Sequence, residues 1–158
     1  MAAAPRGSVL LLDVEDADAV AAGLAIALPG VEVHVGPTPR TGEGDVIAVL
    51  ACDLRRPVTV VGARAAAPMA VAVALDPPPG VGGVVSHEPT GVDDLPPGAR
   101  FRVPLMVTVG RDSPATARQA ARLLRERGAT TDLTAGADRP SVGDPSALVA
   151  AIRRIHPE

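Results

Sequence analysis

The stretch Val58 to Leu75, V-T-V-V-G-A-R-A-A-A-P-M-A-V-A-V-A-L, decides how the rest of the chain is read. Its β-branched start favours a strand, and its alanine-rich end favours a helix. Only Gly62 and a few small residues separate the two. A strand expected over Val58–Val61 and a helix over Ala65–Leu75 therefore meet in a sharp turn with Arg64 at the apex. Strand, sharp turn, helix is how α/β proteins hold a reactive side chain above the edge of a sheet. A guanidinium at the apex is always charged and cannot attack a carbonyl.

Working outward, strands and helices alternate. Ser8–Leu12 reads as a strand, followed by an Asp-capped helix over Asp16–Leu28 and a second strand, Val31–Val35, with the alternation V-E-V-H-V. A helix is expected near Glu43–Leu54, and a strand over Val81–Ser86. An irregular stretch rich in Pro, Gly and Asp covers 87–102. Then come strand Val103–Val109, helix Pro114–Arg127 closed by Gly128, strand Ala129–Thr134 and helix Pro145–Ile155. Continuous apolar strands between helices predict an α/β fold, with a mainly parallel six-stranded sheet covered on both faces. No internal repeat interrupts it. The 158 residues are long enough for one domain, 1–158, with a real core.

Composition narrows the function. Hydrophobic residues make up 47% of the chain but aromatics only 1%, so the core must be aliphatic and alanine-rich. Without stacking aromatics, and with a net charge of −3, the chain lacks the features of a nucleic-acid binder. All its basic residues are arginines. The single cysteine, Cys52, excludes an internal disulfide and a cysteine-based zinc site. No cofactor and no metal are expected. No apolar run approaches a membrane span and no signal-like segment leads the first strand, so a cytoplasmic protein is expected.

Four short motifs, in order, resemble the α/β-hydrolase fold family, in particular the small hydrolases of high-GC bacteria. V-V-G-A-R-A-A, 60–66, stands where that family has its nucleophile elbow, V-x-G-x-S-x-G. V-V-S-H-E-P-T, Val84–Thr90, resembles L-V-x-H-E-P-P at the end of the next strand. V-P-L-M-V-T-V-G-R-D-S-P, Val103–Pro114, is similar to the segment before the acid-bearing loop. D-L-T-A-G-A-D-R, Asp132–Arg139, corresponds to the strand and loop that deliver the family's histidine. Against that pattern the leading hairpin is missing and the cap is reduced to the loop 87–102. The resemblance then implies the strand order 2-1-3-4-5-6, a three-layer, doubly wound sheet. Such sheets form ligand crevices where the order reverses, here between the ends of strands 1 and 3, at Leu12–Glu15 and Gly62–Ala65.

The family's chemistry needs a nucleophile, a histidine base, an orienting acid and oxyanion donors. Arg64 fills the nucleophile's position, Asp13 the loop of an oxyanion donor, and Asp138 the histidine's position, while Asp112-Ser113 keeps only the acid's neighbourhood. The resemblance thus implies a hydrolase fold with a degenerate triad. Ligand-binding candidates are Asp13, Arg64, His87, Asp112 and Asp138. Each has a plainer reading. Ser113-Pro114 reads as an N-cap and first helical residue. Asp112 complements the helix dipole. Asp138 reads as a solvated turn residue, His87 as a strand-end residue and Cys52 as a packed hydrophobe. Asp13 and Arg64 differ, because opposite charges face one crevice; they are expected either to plug a vestigial site as a salt bridge or to bind something.

Four functions compete. One is a non-hydrolytic binding or regulatory module taking a small anionic molecule. A second is a repurposed lyase, isomerase or cyclase, with Arg64 holding an anion and Asp13, His87, Asp112 or Asp138 moving protons. A third, a response-regulator receiver suggested by L-L-L-D-V-E-D, lacks the lysine such domains need. The last is a decayed copy without a selected role. The strand Val31–Val35, guarded only by Glu32 and His34, is expected to lie at a sheet edge and to pair two copies into a homodimer.

Overall fold

Among the described residues, six runs of mostly β-branched and aliphatic residues form parallel strands. The computed structural model describes residues 7–14, 16–36, 53–89, 100–109, 114–133, 149, 152 and 153. Within them the order is β1 (Gly7–Leu12), α1 (Ala17–Ala27), β2 (Val31–Val35), β3 (Val58–Ala63), a 3-10 turn (Arg64–Ala66), α2 (Ala67–Leu75), β4 (Val81–His87), β5 (Leu105–Val109), α3 (Ala115–Glu126) and β6 (Thr130–Leu133). The sheet runs β2-β1-β3-β4-β5-β6, all neighbours parallel. This is the doubly wound order expected from the sequence, with its reversal between β1 and β3.

Alternation along each strand divides the core into two layers. Leu10, Leu12, Val60, Val84, Leu105 and Val107 pack with Ala70, Val71 and Ala74 of α2 and with Ala117, Ala121 and Leu124 of α3. Val9, Leu11, Val61, Val85 and Met106 pack on the other face, with Val20 and Leu24 of α1 and with Val149 and Ile152. Every residue of β1, β3 and β5 is buried, which is why these strands read as near-continuous apolar runs. β2 is half-buried and exposed by turns; among the described residues it pairs on one side only, with β1.

The helices form for visibly different reasons. In α3 the buried Ala117, Ala120, Ala121 and Leu124 recur every three or four residues, while Arg118, Arg122 and Arg125 lie in solvent. In α2 five of nine residues are buried, and their small size lets the helix lie close against the sheet. Gly62 fixes that closeness: a Cβ on it would collide with the carbonyl oxygen of Ala66 and meet the Cβ of Ala70 at 2.8 Å.

Several boundaries differ from the sequence reading. β3 continues to Ala63 and a 3-10 turn precedes α2, so the helix starts at Ala67 rather than Ala65. Asp16 occupies the N-cap of α1 but makes no capping bond, because it is left-handed (φ 51°) and not extended as a capping residue is. Pro114 is the N-cap of α3, not its first helical residue, since its ψ of 146° is extended. β5 begins at Leu105, after a proline that has no N–H to give a ladder. Asp53 and Leu54, expected in a helix, lie in a turn and a bend; 43–52, 90–99 and the whole of 134–148 lie outside the described residues.

Candidate functional site

Where β1 and β3 end side by side, Leu12 is in register with Gly62, so Asp13 and Arg64 leave the sheet next to each other. Both enter the left-handed region, at φ 52° and φ 49°. Short aspartates visit that region readily; for arginine it costs about 1–2 kcal/mol. The elbow therefore keeps its sharp shape although arginine stands at its apex.

The charges explain how. Arg64 Nη2 lies 2.9 Å from Asp13 Oδ1, and Arg64 Nε donates to the main-chain oxygen of Asp13 at 3.1 Å. The other carboxylate oxygen, Oδ2, accepts the backbone N–H of Ala65 at 3.0 Å. Thus one carboxylate takes two donors with its two oxygens, one from the guanidinium and one from the residue after the apex. In an elbow carrying a nucleophile, that second donor is the one that stabilises an oxyanion. Here an internal anion already sits on it. The Arg64 side chain is 58% exposed and that of Asp13 13%, so the guanidinium faces solvent while the carboxylate is largely covered. Ion pairs this open to water contribute about 0.2–1 kcal/mol.

A second polar group lies one strand further along. Ala63 is in register with His87, and His87 with Thr108. The imidazole Nδ1 of His87 lies 2.8 Å from Thr108 Oγ1, with both residues buried. Glu88 is also left-handed (φ 50°); its N–H donates to Thr108 O at 3.0 Å, and its Oε1 lies 3.8 Å from His87 Nε2. Ser86, buried in the same strand, donates from Oγ to Ala67 O at 2.8 Å and ties β4 to the start of α2. Three adjacent strands, β1, β3 and β4, therefore each end in a charged, left-handed residue at one edge of the sheet. Strain of this kind collects at functional edges.

Of the residues proposed from the sequence, Asp13 and Arg64 are brought together, and His87 stands on the neighbouring strand. Asp112, Ser113, Asp138 and Cys52 lie outside the described residues. His34 is half-buried on β2, its Nε2 3.4 Å from Glu32 Oε2. Sequence reasoning missed Thr108, Ser86 and the bond from Ala65 N–H. Thr108 and Ser86 had a signal, each being a hydroxyl inside an otherwise apolar strand; the Ala65 bond had none, since a backbone donor carries no residue type. Among the described residues no cluster of three or more His, Cys, Asp or Glu could hold a metal ion.

No protein-family model matches the chain, and no curated protein matches it significantly. Solved structures do. Esterase PE8 superposes with a TM-score of 0.68 at 16% identity, over 97% of this chain and 94% of that one. A lipase-esterase related protein from Clostridium acetobutylicum superposes with a TM-score of 0.67 at 13% identity, over 94% and 93% of the two chains. At such identities the likeness defines architecture, and the architecture is the α/β-hydrolase fold.

Proposed function

We propose that this protein is a non-hydrolytic member of the α/β-hydrolase fold, a binding or regulatory module whose small polar crevice opens between the ends of β1 and β3. The observation that carries this reading is the carboxylate of Asp13 on the N–H of Ala65, beside a guanidinium at the elbow's apex. A hydrolase needs a nucleophile at that apex and an empty donor for the oxyanion. Here the apex group cannot attack, and the donor is spent on a carboxylate that repels any second negative charge. The hydrolase and esterase names of the neighbours thus carry over as architecture, without their chemistry.

The test is hydrolysis of p-nitrophenyl acetate. Purified protein should match an equal mass of an unrelated protein; saturable turnover that disappears when Asp112 or His87 is replaced would overturn the reading. The same proposal includes a homodimer formed through Val31–Val35, because that strand offers unpaired backbone groups at the sheet edge among the described residues. Light scattering showing only monomer from micromolar to millimolar concentration would remove that part. A cytoplasmic location is proposed with it; no helix among the described residues is long and apolar enough to cross a membrane.

A second reading, a repurposed lyase or isomerase acting on a small anion, is favoured by one observation. His87 and Glu88 stand at the same sheet edge as Arg64, so an anion holder and proton-moving groups share it. The burial of the imidazole against Thr108 favours the binding module over it.

A further inference from the structure

The internal carboxylate at the elbow shows what the elbow's donors fit. We infer that Asp13 is a displaceable internal ligand: its side chain holds a carboxylate-binding site shut, and a ligand's carboxylate takes its place on Arg64 and Ala65. The inference rests on the non-hydrolytic reading of the crevice and adds to it the chemistry of the ligand and the way the site is regulated.

Three features of the geometry carry it. The donors at Arg64 Nη2 and Ala65 N address two different oxygens of one planar group, at 2.9 Å and 3.0 Å. That arrangement suits a carboxylate; a phosphate would bring further oxygens and a second negative charge towards Asp13. Next, Arg64 Nε is bonded to the main-chain oxygen of Asp13, not to its side chain. When the Asp13 carboxylate swings away, this backbone bond remains and keeps the guanidinium aimed at the vacated place. Finally, the Arg64 side chain is 58% exposed, so an incoming group can reach it and the pair it must break is weakened by water. Binding and release thus exchange one carboxylate for another on the same donors, and no covalent step is involved.

The exchange makes apparent affinity depend on how often Asp13 leaves, since only the open fraction can bind. The test is acetate titration of isotope-labelled protein, with sodium chloride of matched ionic strength as the reference, following the backbone amide of Ala65. In the native protein the Ala65 amide should shift saturably but weakly. Asp13→Ala should bind acetate about tenfold more tightly, because the competing ligand is gone. Asp13→Asn keeps the side chain's shape without its charge and should fall between. Arg64→Ala should lose the response, and in the native protein, where the displaced Asp13 carboxylate stays nearby, phosphate should bind less tightly than acetate.

An unresponsive Ala65 amide in both Asp13 variants would overturn the inference. So would equal acetate affinity in native protein and Asp13→Ala, which would mean that Asp13 does not compete. A response confined to the variants would mean a plug that never yields, and would overturn displacement as well. The two readings fail separately. Turnover of p-nitrophenyl acetate with an intact Ala65 response removes the non-hydrolytic reading alone, whereas an inactive protein with a silent Ala65 amide removes the displacement alone.

Discussion

The ends of β3 and β4 make a controlled comparison inside one molecule. The strands are adjacent and parallel, with Ala63 in register with His87, and each continues into a charged left-handed residue, Arg64 at φ 49° and Glu88 at φ 50°. The local strain is nearly the same, but what holds it differs. At β4 the chain is fixed by buried partners on β5: Thr108 receives the Glu88 N–H and bonds the His87 ring. At β3 the holder is an ion pair reaching to β1, with the Arg64 side chain 58% exposed. A strained turn can thus be locked by buried hydrogen bonds or poised by a solvent-facing charge, and only the poised one suits exchange with a ligand.

The largest effect should come from breaking the mounting that both ends share. Gly62→Val places a Cβ against the Ala66 carbonyl and Ala70, forcing α2 away from the sheet. We expect a loss of about 3 kcal/mol in urea unfolding, the upper end of overpacking costs. A midpoint unchanged from native would show that the elbow opens freely, and the comparison would lose its common frame.

Next comes the locked end. Thr108→Val removes the hydroxyl bonded to buried His87 and should cost about 2 kcal/mol. Thr108→Ser keeps the oxygen and should cost clearly less in the same urea series. Equal losses for the two would assign the effect to packing and not to the hydrogen bond.

The poised end should give the smallest numbers. A double-mutant cycle on Arg64→Ala and Asp13→Ala should show coupling of about 0.5–1 kcal/mol, above the additive range of independent sites. Molar salt should reduce that coupling while leaving the Thr108→Val penalty intact, because exposed charges are screened and buried bonds are not. Arg64→Gly should change stability by under about 0.5 kcal/mol, since glycine accepts the left-handed turn and the relief offsets the lost pair. A cycle within the additive range, or a salt-insensitive one, would erase the distinction between the two ends.

Much of this architecture was legible in the residues. The runs V-L-L-L, V-T-V-V and L-M-V-T-V are apolar on both faces because β1, β3 and β5 are covered on both faces, so local pattern and tertiary burial carry the same information. The sharp turn after Gly62 was legible too, since only glycine leaves room for Ala66 and Ala70. Helix starts were less legible: Asp16 stands at the N-cap of α1 in a left-handed conformation without a capping bond, and Pro114 stands at the N-cap of α3 with an extended ψ instead of in its first turn.

By itself, then, the sequence determined the alternation of elements, the α/β class with a mainly parallel sheet and the placing of opposite charges after strands 1 and 3. Only the tertiary structure decided that the Asp13 carboxylate spans a side chain and a backbone amide at once, and that His87 is held by Thr108. The reason is physical. Periodicity records which faces are buried, element by element, whereas a bond from a backbone N–H, or one between residues far apart in the chain, depends on register and strand order. Those are set by the packing of the whole sheet, and no residue type announces them.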